Sequence, residues 1–167
     1  MKKLILMRHG KAEKDAASGE DFDRVLSTTG HEEAAAVARA LKADDLKPDL
    51  ALVSPAARTL GTFAEVESVL GTIPALRDKA FYHASAEALR RAVENHEDEA
   101  ECLLLVGHNP GLQYLVLDYL FAGAASVSLI EKLRGSYPTA TATVFDVDVA
   151  GRPIYDGVYI ARDLLRA

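Results

Sequence analysis

The sequence predicts an α/β fold, in which helices cover both faces of one mixed, mostly parallel sheet in a three-layer arrangement. Apolar runs alternate with amphipathic segments along the whole chain. Three of these runs, Lys3–Met7, Leu50–Val53 and Cys102–Val106, are short and almost continuously apolar, which is typical of parallel strands buried on both faces. Because no repeat or Pro/Gly-rich linker interrupts the pattern, we expect residues 1–167 to form a single domain.

The amphipathic segments between these runs predict the helices. The first helix has a candidate capping box at Thr29–Glu32. The second follows Pro55 and ends at Gly71, and Ser85 can cap a third. Another helix is expected after Pro110. The predicted inward positions are Ala34, Val37, Ala38 and Leu41 in the first helix, and Leu60, Phe63, Ala64 and Leu70 in the second.

The C-terminal segment predicts two further strands. Residues 139–149 alternate between apolar and polar side chains, Gly151 marks a turn, and a second apolar run covers residues 154–159. Strands joined by so short a turn are antiparallel. The closing pair therefore makes the predicted sheet mixed.

Composition and charge disfavour several classes of function. The net charge of −6 repels polyanions, which argues against a general nucleic-acid binder. No apolar run approaches the ~20 residues that a membrane span needs, and Arg8 interrupts the N-terminal run too early for a secretion signal. The single Cys102 permits no internal disulfide, which suits a reducing compartment. We expect a cytoplasmic protein without membrane or nucleic-acid partners.

The three apolar runs all end in residues suited to chemistry. Arg8-His9-Gly10 follows the first run, Ser54-Pro55-Ala56-Ala57-Arg58 the second and Gly107-His108-Asn109 the third. A lone His or Arg at a strand end is usually a solvated loop residue. Ligands of open α/β sheets, however, bind at the carboxyl ends of the strands. Recurrence at three such ends therefore predicts a site.

Two arginines and two histidines at one sheet edge, with helix N-termini nearby, suit a doubly negative phosphoryl group. The planar fork of an arginine grips two phosphate oxygens and keeps its proton. The sequence shows no carboxylate or His/Cys cluster with metal-ligand spacing. We therefore expect the cations of the protein itself to replace Mg²⁺, with no metal or other cofactor.

An unprotonated imidazole is a competent phosphoryl acceptor. Arg8 and Arg58 disfavour the protonation of a neighbouring His9, and a backbone carbonyl can fix its tautomer. We hypothesise that His9 attacks and that His108 donates a hydrogen bond to the phosphoryl group. The residues alone leave open which of the two histidines is the nucleophile.

The three ordered motifs resemble the histidine phosphatase superfamily, whose fold is that of phosphoglycerate mutase. Within it, residues 23–30, 81–85 and 137–139 resemble the small SixA-type phosphohistidine phosphatases. The resemblance implies that His9 is the nucleophile that becomes phosphorylated. It also implies that Arg8, Arg58 and His108 form the phosphate pocket.

Four further residues are candidates for substrate binding. Gly10 and Asn109 flank the two catalytic histidines. Arg24 either reaches the pocket from its loop or is a solvated loop arginine. His83 can line the substrate groove or donate a proton.

Larger relatives carry an acidic proton donor for which residues 77–83 offer no clear equivalent. An imidazole leaving group needs less protonation than an alkoxide. We therefore expect a metal-independent phosphohydrolase that removes phosphate from phosphohistidine on a signalling protein, for example a histidine phosphotransfer domain. One alternative is a phosphomonoesterase of small phosphorylated metabolites that uses Asp78, His83 or Glu87 as its acid. The other is a non-catalytic module that binds phosphate or phosphohistidine.

Overall fold

The computed structural model describes residues 1–167 and contains one six-stranded sheet. Its strands are β1 (Lys3–Arg8), β2 (Leu50–Val53), β3 (Ala75–Arg77), β4 (Cys102–Gly107), β5 (Thr141–Val147) and β6 (Pro153–Ile160). Their order across the sheet is β3-β2-β4-β1-β5-β6. The first four are mutually parallel, whereas β5 runs antiparallel to both of its neighbours. The mixed, mostly parallel sheet is confirmed.

Six helices pack on the two faces of this sheet. They are α1 (Thr28–Ala43), α2 (Ala57–Leu70), α3 (Ala86–Asn95), α4 (Gly111–Ala122), α5 (Val127–Gly135) and the single turn α6 (Ala161–Leu164). Short 3₁₀ helices cover Asp21–Asp23 and Lys79–Phe81. No helix has both the length and the apolar character required to cross a bilayer.

The sheet separates two apolar cores. Leu4 and Leu6 of β1 face the core under α3, α4 and α5, whereas Ile5 and Met7 face the core under α1 and α2. Successive side chains of a strand point to opposite faces, so an apolar run without alternation supplies both cores. Full burial of each such side chain contributes ~1.5–3 kcal/mol to folding. The central strands are therefore held from both sides.

The N-cap of α1 lies two residues before Thr29, the N-cap that the predicted capping box requires. Ser27 is the N-cap, and its hydroxyl oxygen accepts a hydrogen bond from the backbone N–H of Gly30. The same hydroxyl donates to the carbonyl of Lys11, which ties the start of the helix to the loop after β1. Thr29 therefore lies within the first turn, and the capping-box prediction is wrong.

The inward face of α2 is also rotated relative to the prediction. Phe63 and Leu70 are buried as expected, but Ala64 is exposed and Leu60 is only half-buried. Polar residues near the start of the helix take the inward positions, because Arg58 and Thr62 point towards the sheet edge. Apolar periodicity alone could not anticipate this rotation.

The topology brings the three predicted functional segments together. Strand β4 lies between β1 and β2, with Arg8 opposite Gly107 and Val53 opposite Val106 in register. All three strands run in the same direction, so they end at the same edge of the sheet. The segments that follow them are thus immediate neighbours.

The segment after β1 packs tightly against α1 through two glycines. A Cβ atom on Gly10 would lie 2.5 Å from the carbonyl oxygen of Gly30. The backbone N–H of Gly10 donates to Thr62 Oγ1 at 2.9 Å, so this segment cannot move away freely. Position 10 therefore requires glycine on steric grounds.

Substitution of Gly10 by Ala is expected to destabilise the protein. Relief of a clash with backbone costs ~1–3 kcal/mol, and each kcal/mol lowers Tm by ~2–4 °C for a chain of this size. Gly135→Ala is the matched control, because no atom lies within 4 Å of its added Cβ. Thermal unfolding of both variants checks the prediction, and a Gly10→Ala variant with the wild-type Tm would contradict it.

Candidate active site

His9 lies at the centre of the sheet edge and is only 7% exposed. Its Nδ1 is 2.7 Å from the carbonyl oxygen of Gly10. A carbonyl oxygen can only accept, so Nδ1 carries the proton and Nε2 keeps its lone pair. The expected backbone carbonyl is thus present, and it leaves the lone pair of Nε2 directed into the site.

Arg58 presents its inner nitrogen to that lone pair. Arg58 Nε donates to His9 Nε2 at 3.3 Å, and the side chain is almost fully buried. The terminal nitrogens of Arg58 donate to the backbone oxygen of Asp21 at 2.8 Å and to its Oδ2 at 2.9 Å. One guanidinium therefore joins His9 to the loop before α1.

His108 faces His9 across the site, with 5.3 Å between the two ring centroids. Its Nε2 is 2.8 Å from Ser54 Oγ, whereas its buried Nδ1 has no hydrogen-bond partner. The Ser54 hydroxyl oxygen also accepts from the N–H of Ala56, so its own proton is free to donate to Nε2. This arrangement places the proton of a neutral His108 on Nδ1, where the N–H can donate a hydrogen bond to an anion.

Arg8 and Asn109 share one backbone acceptor. Arg8 Nη1 and Asn109 Nδ2 both donate to the carbonyl oxygen of Tyr137, at 2.9 and 3.1 Å. Arg8 Nε and Asn109 Oδ1 are buried without partners. Buried polar atoms normally find partners, so these two atoms and His108 Nδ1 mark positions where a polar ligand can bind.

Burial and positive charge keep both histidines neutral. Burial, together with the charges of Arg58 and Arg8, lowers the pKa of His9 to about 4, although its bond to Gly10 acts in the opposite direction. Burial and the proximity of His9 and Arg58 lower the pKa of His108 to about 2. Near neutral pH, His9 therefore keeps an unprotonated Nε2, and His108 is a neutral hydrogen-bond donor.

Arg24 reaches the cluster through Asp21, whereas His83 contacts both Asp21 and the cluster itself. Arg24 donates to Asp21 Oδ1 at 2.9 Å and contacts none of the four central residues directly. His83 Nε2 lies 3.1 Å from Asp21 Oδ2 and 3.4 Å from Arg58 Nη2. Both therefore lie at the mouth of the site. The His83 ring also lies close to the His108 ring, with centroids 4.9 Å apart and the ring planes tilted by 42°.

Asp21 and Tyr82 also lie at the site, although no sequence pattern predicted them there. The Tyr82 hydroxyl donates to Asp21 Oδ2 at 2.5 Å, and Asp21 is the one carboxylate that hydrogen-bonds to the cluster. Asp78 instead caps the 3₁₀ helix over residues 79–81, and Glu87 pairs with Arg91 on the surface. Of the three predicted proton donors, only His83 lies at the site.

The arrangement suits nucleophilic attack on a dianionic phosphoryl group. It combines a lone pair on His9 Nε2 with two permanent guanidinium charges and with an N–H of His108. No group of three or more His, Cys, Asp or Glu side chains is arranged to hold a metal ion.

Comparison with known proteins places the chain in a family. A sequence model of the histidine phosphatase superfamily (branch 1) matches residues 4–82. Phosphohistidine phosphatase SixA of Escherichia coli is 30% identical over 152 residues, which cover 80% of this chain and 89% of that protein. The chain belongs to the histidine phosphatase superfamily. Both the family and its SixA member point to a phosphatase.

Other proteins resemble the chain to different extents. An uncharacterized chloroplastic protein of Arabidopsis thaliana is 32% identical over 120 residues, which cover 66% of this chain and 55% of that protein. The chain thus matches only about half of that relative. The SixA structure from Agrobacterium tumefaciens superposes with a TM-score of 0.81 at 26% identity, covering 95% of this chain and 97% of that one. This likeness confirms the predicted fold.

Stability is expected to fall with acidification because both central histidines resist protonation. The pKa of His9 is about 4 when folded against a usual 6.5, so the unfolded chain binds the extra proton between these pH values. The contribution of His9 to the free energy of unfolding is therefore complete above pH ~6.5 and is lost towards pH 4. The loss is up to ~1.4 kcal/mol per pH unit for each such histidine. His9→Gln should flatten this slope.

Chemical denaturation between pH 7 and 5 measures the slope directly. His31→Gln is the control, because the side chain of His31 is 49% exposed on the surface. Equal slopes for wild type and His9→Gln would show that His9 does not titrate in this way.

Removal of the Ser54 hydroxyl is expected to leave His108 without a fixed tautomer. Without it, Nε2 competes with Nδ1 for the proton, and inorganic phosphate should bind ~10-fold more weakly, as for the loss of one hydrogen bond. Nitrogen chemical shifts of His108 and phosphate titration of Ser54→Ala test this. Ser68→Ala, which removes an exposed hydroxyl from α2, is the control. An unchanged tautomer in Ser54→Ala would refute the role of Ser54.

Proposed function

We propose that the chain is a metal-independent phosphohydrolase that removes phosphate from phosphohistidine through a phosphorylated His9. One observation carries the proposal: His9 presents an unprotonated Nε2 beside Arg58, with its tautomer set by the carbonyl of Gly10. A substrate phosphoryl group fits between this nitrogen, the two arginines and His108 Nδ1.

The reaction proceeds in two displacements. His9 Nε2 attacks phosphorus while Arg8, Arg58 and His108 stabilise the charge on the equatorial oxygens. The bond to the leaving group breaks, and its electron pair departs with that group. Water then attacks phospho-His9 and releases inorganic phosphate. The carbonyl of Gly10 holds the proton on Nδ1 throughout.

Phosphohistidine is the preferred substrate for two reasons. The E. coli relative is named a phosphohistidine phosphatase. In addition, the site offers no carboxylic acid placed to protonate an alkoxide. A signalling protein as the carrier of the phosphohistidine, and a cytoplasmic location, belong to the same proposal. The single free Cys102 supports the location, because it suits a reducing compartment.

His9→Ala is expected to lower turnover by at least ~10³-fold, because it removes the nucleophile. Rapid-quench reaction with a ³²P-labelled substrate should trap acid-labile, alkali-stable label on the wild-type protein and on His31→Ala, but not on His9→Ala. Excess chelator should leave the rate unchanged. Label on His9→Ala would overturn the assignment of the nucleophile.

The same preparation distinguishes the alternatives. A small-molecule phosphomonoesterase has one observation in its favour, namely the position of His83 at the mouth beside Arg58. It predicts fast hydrolysis of alkyl phosphates while a phosphohistidine protein stays intact. A binding module predicts saturable phosphate binding without turnover of either substrate.

A further inference from the structure

The proposed function leaves Asp21 without a role, although its carboxylate occupies the terminal nitrogens of Arg58. The side chain of Asp21 is 44% exposed and that of Arg58 only 2%. The inner nitrogen of Arg58 faces His9, and its terminal nitrogens face Asp21. Asp21 therefore lies on the outer side of the site, away from the nucleophile. In a displacement along one line, this is the side from which the leaving group departs.

Several donors hold the Asp21 carboxylate independently of Arg58. Tyr82 and His83 contact Oδ2, and Arg24 contacts Oδ1 with two nitrogens. The Tyr82 hydroxyl, followed by His83, Arg58 and Arg24, holds the pKa of this carboxyl well below its usual range, against the opposing effect of burial. Asp21 is thus an anion at any physiological pH and cannot serve as a proton donor.

A phosphoryl group competes with Asp21 for the terminal nitrogens of Arg58. Its oxygens carry more charge than a carboxylate and also engage Arg8 and His108. When Arg58 turns to the phosphoryl group, Asp21 Oδ2 loses the donor at 2.9 Å and regains a free lone pair. The mouth of the site then contains a fixed negative charge with one vacant acceptor position.

The chemistry of phosphohistidine requires such an acceptor. Its P–N bond breaks readily once the second ring nitrogen is protonated, because the electron pair of that bond then returns to a cationic ring. The product is a neutral imidazole that still carries the proton on the second nitrogen. A carboxylate facing this N–H favours the protonated, reactive form through a charge-assisted hydrogen bond.

We propose that Asp21 selects imidazole as the leaving group, by accepting the N–H of the ring nitrogen that does not carry the phosphoryl group. His9 Nε2 forms the new P–N bond, the old P–N bond breaks, and neutral imidazole departs with its proton still directed at Asp21. An alkyl or aryl phosphate ester has no N–H to offer and gains nothing from this carboxylate. The inference rests on the proposed function and names the residue that sets its substrate class.

Asp21→Asn tests the role of the charge with little change in shape. The variant is assayed on free phosphohistidine and on p-nitrophenyl phosphate, whose leaving group needs neither a proton nor an acceptor. We expect kcat/KM for phosphohistidine to fall ~10–100-fold, as for the loss of a hydrogen bond to a charged group. The value for p-nitrophenyl phosphate should stay within ~3-fold or rise, because a competitor for Arg58 has been weakened.

Asp23→Asn is the matched control on the same 3₁₀ helix, because Asp23 Oδ2 bonds only to the Ser18 hydroxyl. It should leave both activities unchanged. Inhibition by inorganic phosphate reports whether the pocket of Asp21→Asn is intact, and its inhibition constant should not rise. An equal fall on both substrates, or no change on phosphohistidine, would overturn the role of Asp21 and leave the proposed function standing. A wild-type protein that hydrolyses p-nitrophenyl phosphate but not phosphohistidine would overturn the proposed function itself, and this inference with it.

Discussion

Arg58 carries a permanent charge at a position that water scarcely reaches, and its neighbours are arranged to compensate for it. A buried guanidinium needs a partner for each N–H, since an unpaired buried charge costs several kcal/mol. Its inner nitrogen finds the lone pair of His9, and its terminal nitrogens find both the backbone and the side chain of Asp21. The tautomer of His9, the rotation of α2 and the position of the 3₁₀ helix at residues 21–23 are all linked to this one side chain.

The same constraint explains why the site is enclosed. His9, Arg58 and His108 are all buried, and the loop between β1 and α1 covers Arg58 through Asp21. Burial is also the main reason that both histidines stay neutral, so a more open pocket would raise the protonated fraction of His9.

The layout of the sheet was predictable because burial on both faces leaves an unmistakable apolar run, as in β1 and β4. That His9, Arg58 and His108 meet at one sheet edge was predictable because each lies within a few residues of the end of such a run. Strand β3 was harder to predict, because it lies at the sheet edge and only its Ala75 is partly buried. Helix α5 has only nine residues, of which only Ile130 and Leu133 are buried, so it offers few positions from which a pattern can be recognised.

Asp21 and Tyr82 could not be found in this way. They come from irregular segments 61 residues apart, which meet only through loop conformations that no periodicity encodes. The capping error at α1 has a similar origin. Ser27 and Thr29 are equally suited to cap a helix on their own, and the choice between them depends on the tertiary contact of Ser27 with Lys11.

The order of the strands also determines when the site comes into existence during synthesis. His9 and Arg58 are 49 residues apart in the chain, and Ser54 and His108 are 54 apart. Strand β4, which separates β1 from β2, is the last of the three to leave the ribosome. A nascent chain that lacks it has no strand to join β1 and β2 by hydrogen bonds, so the sheet edge does not yet hold His9 and Arg58 side by side. The cluster of buried positive charge therefore forms only after β4 can complete the central sheet around it.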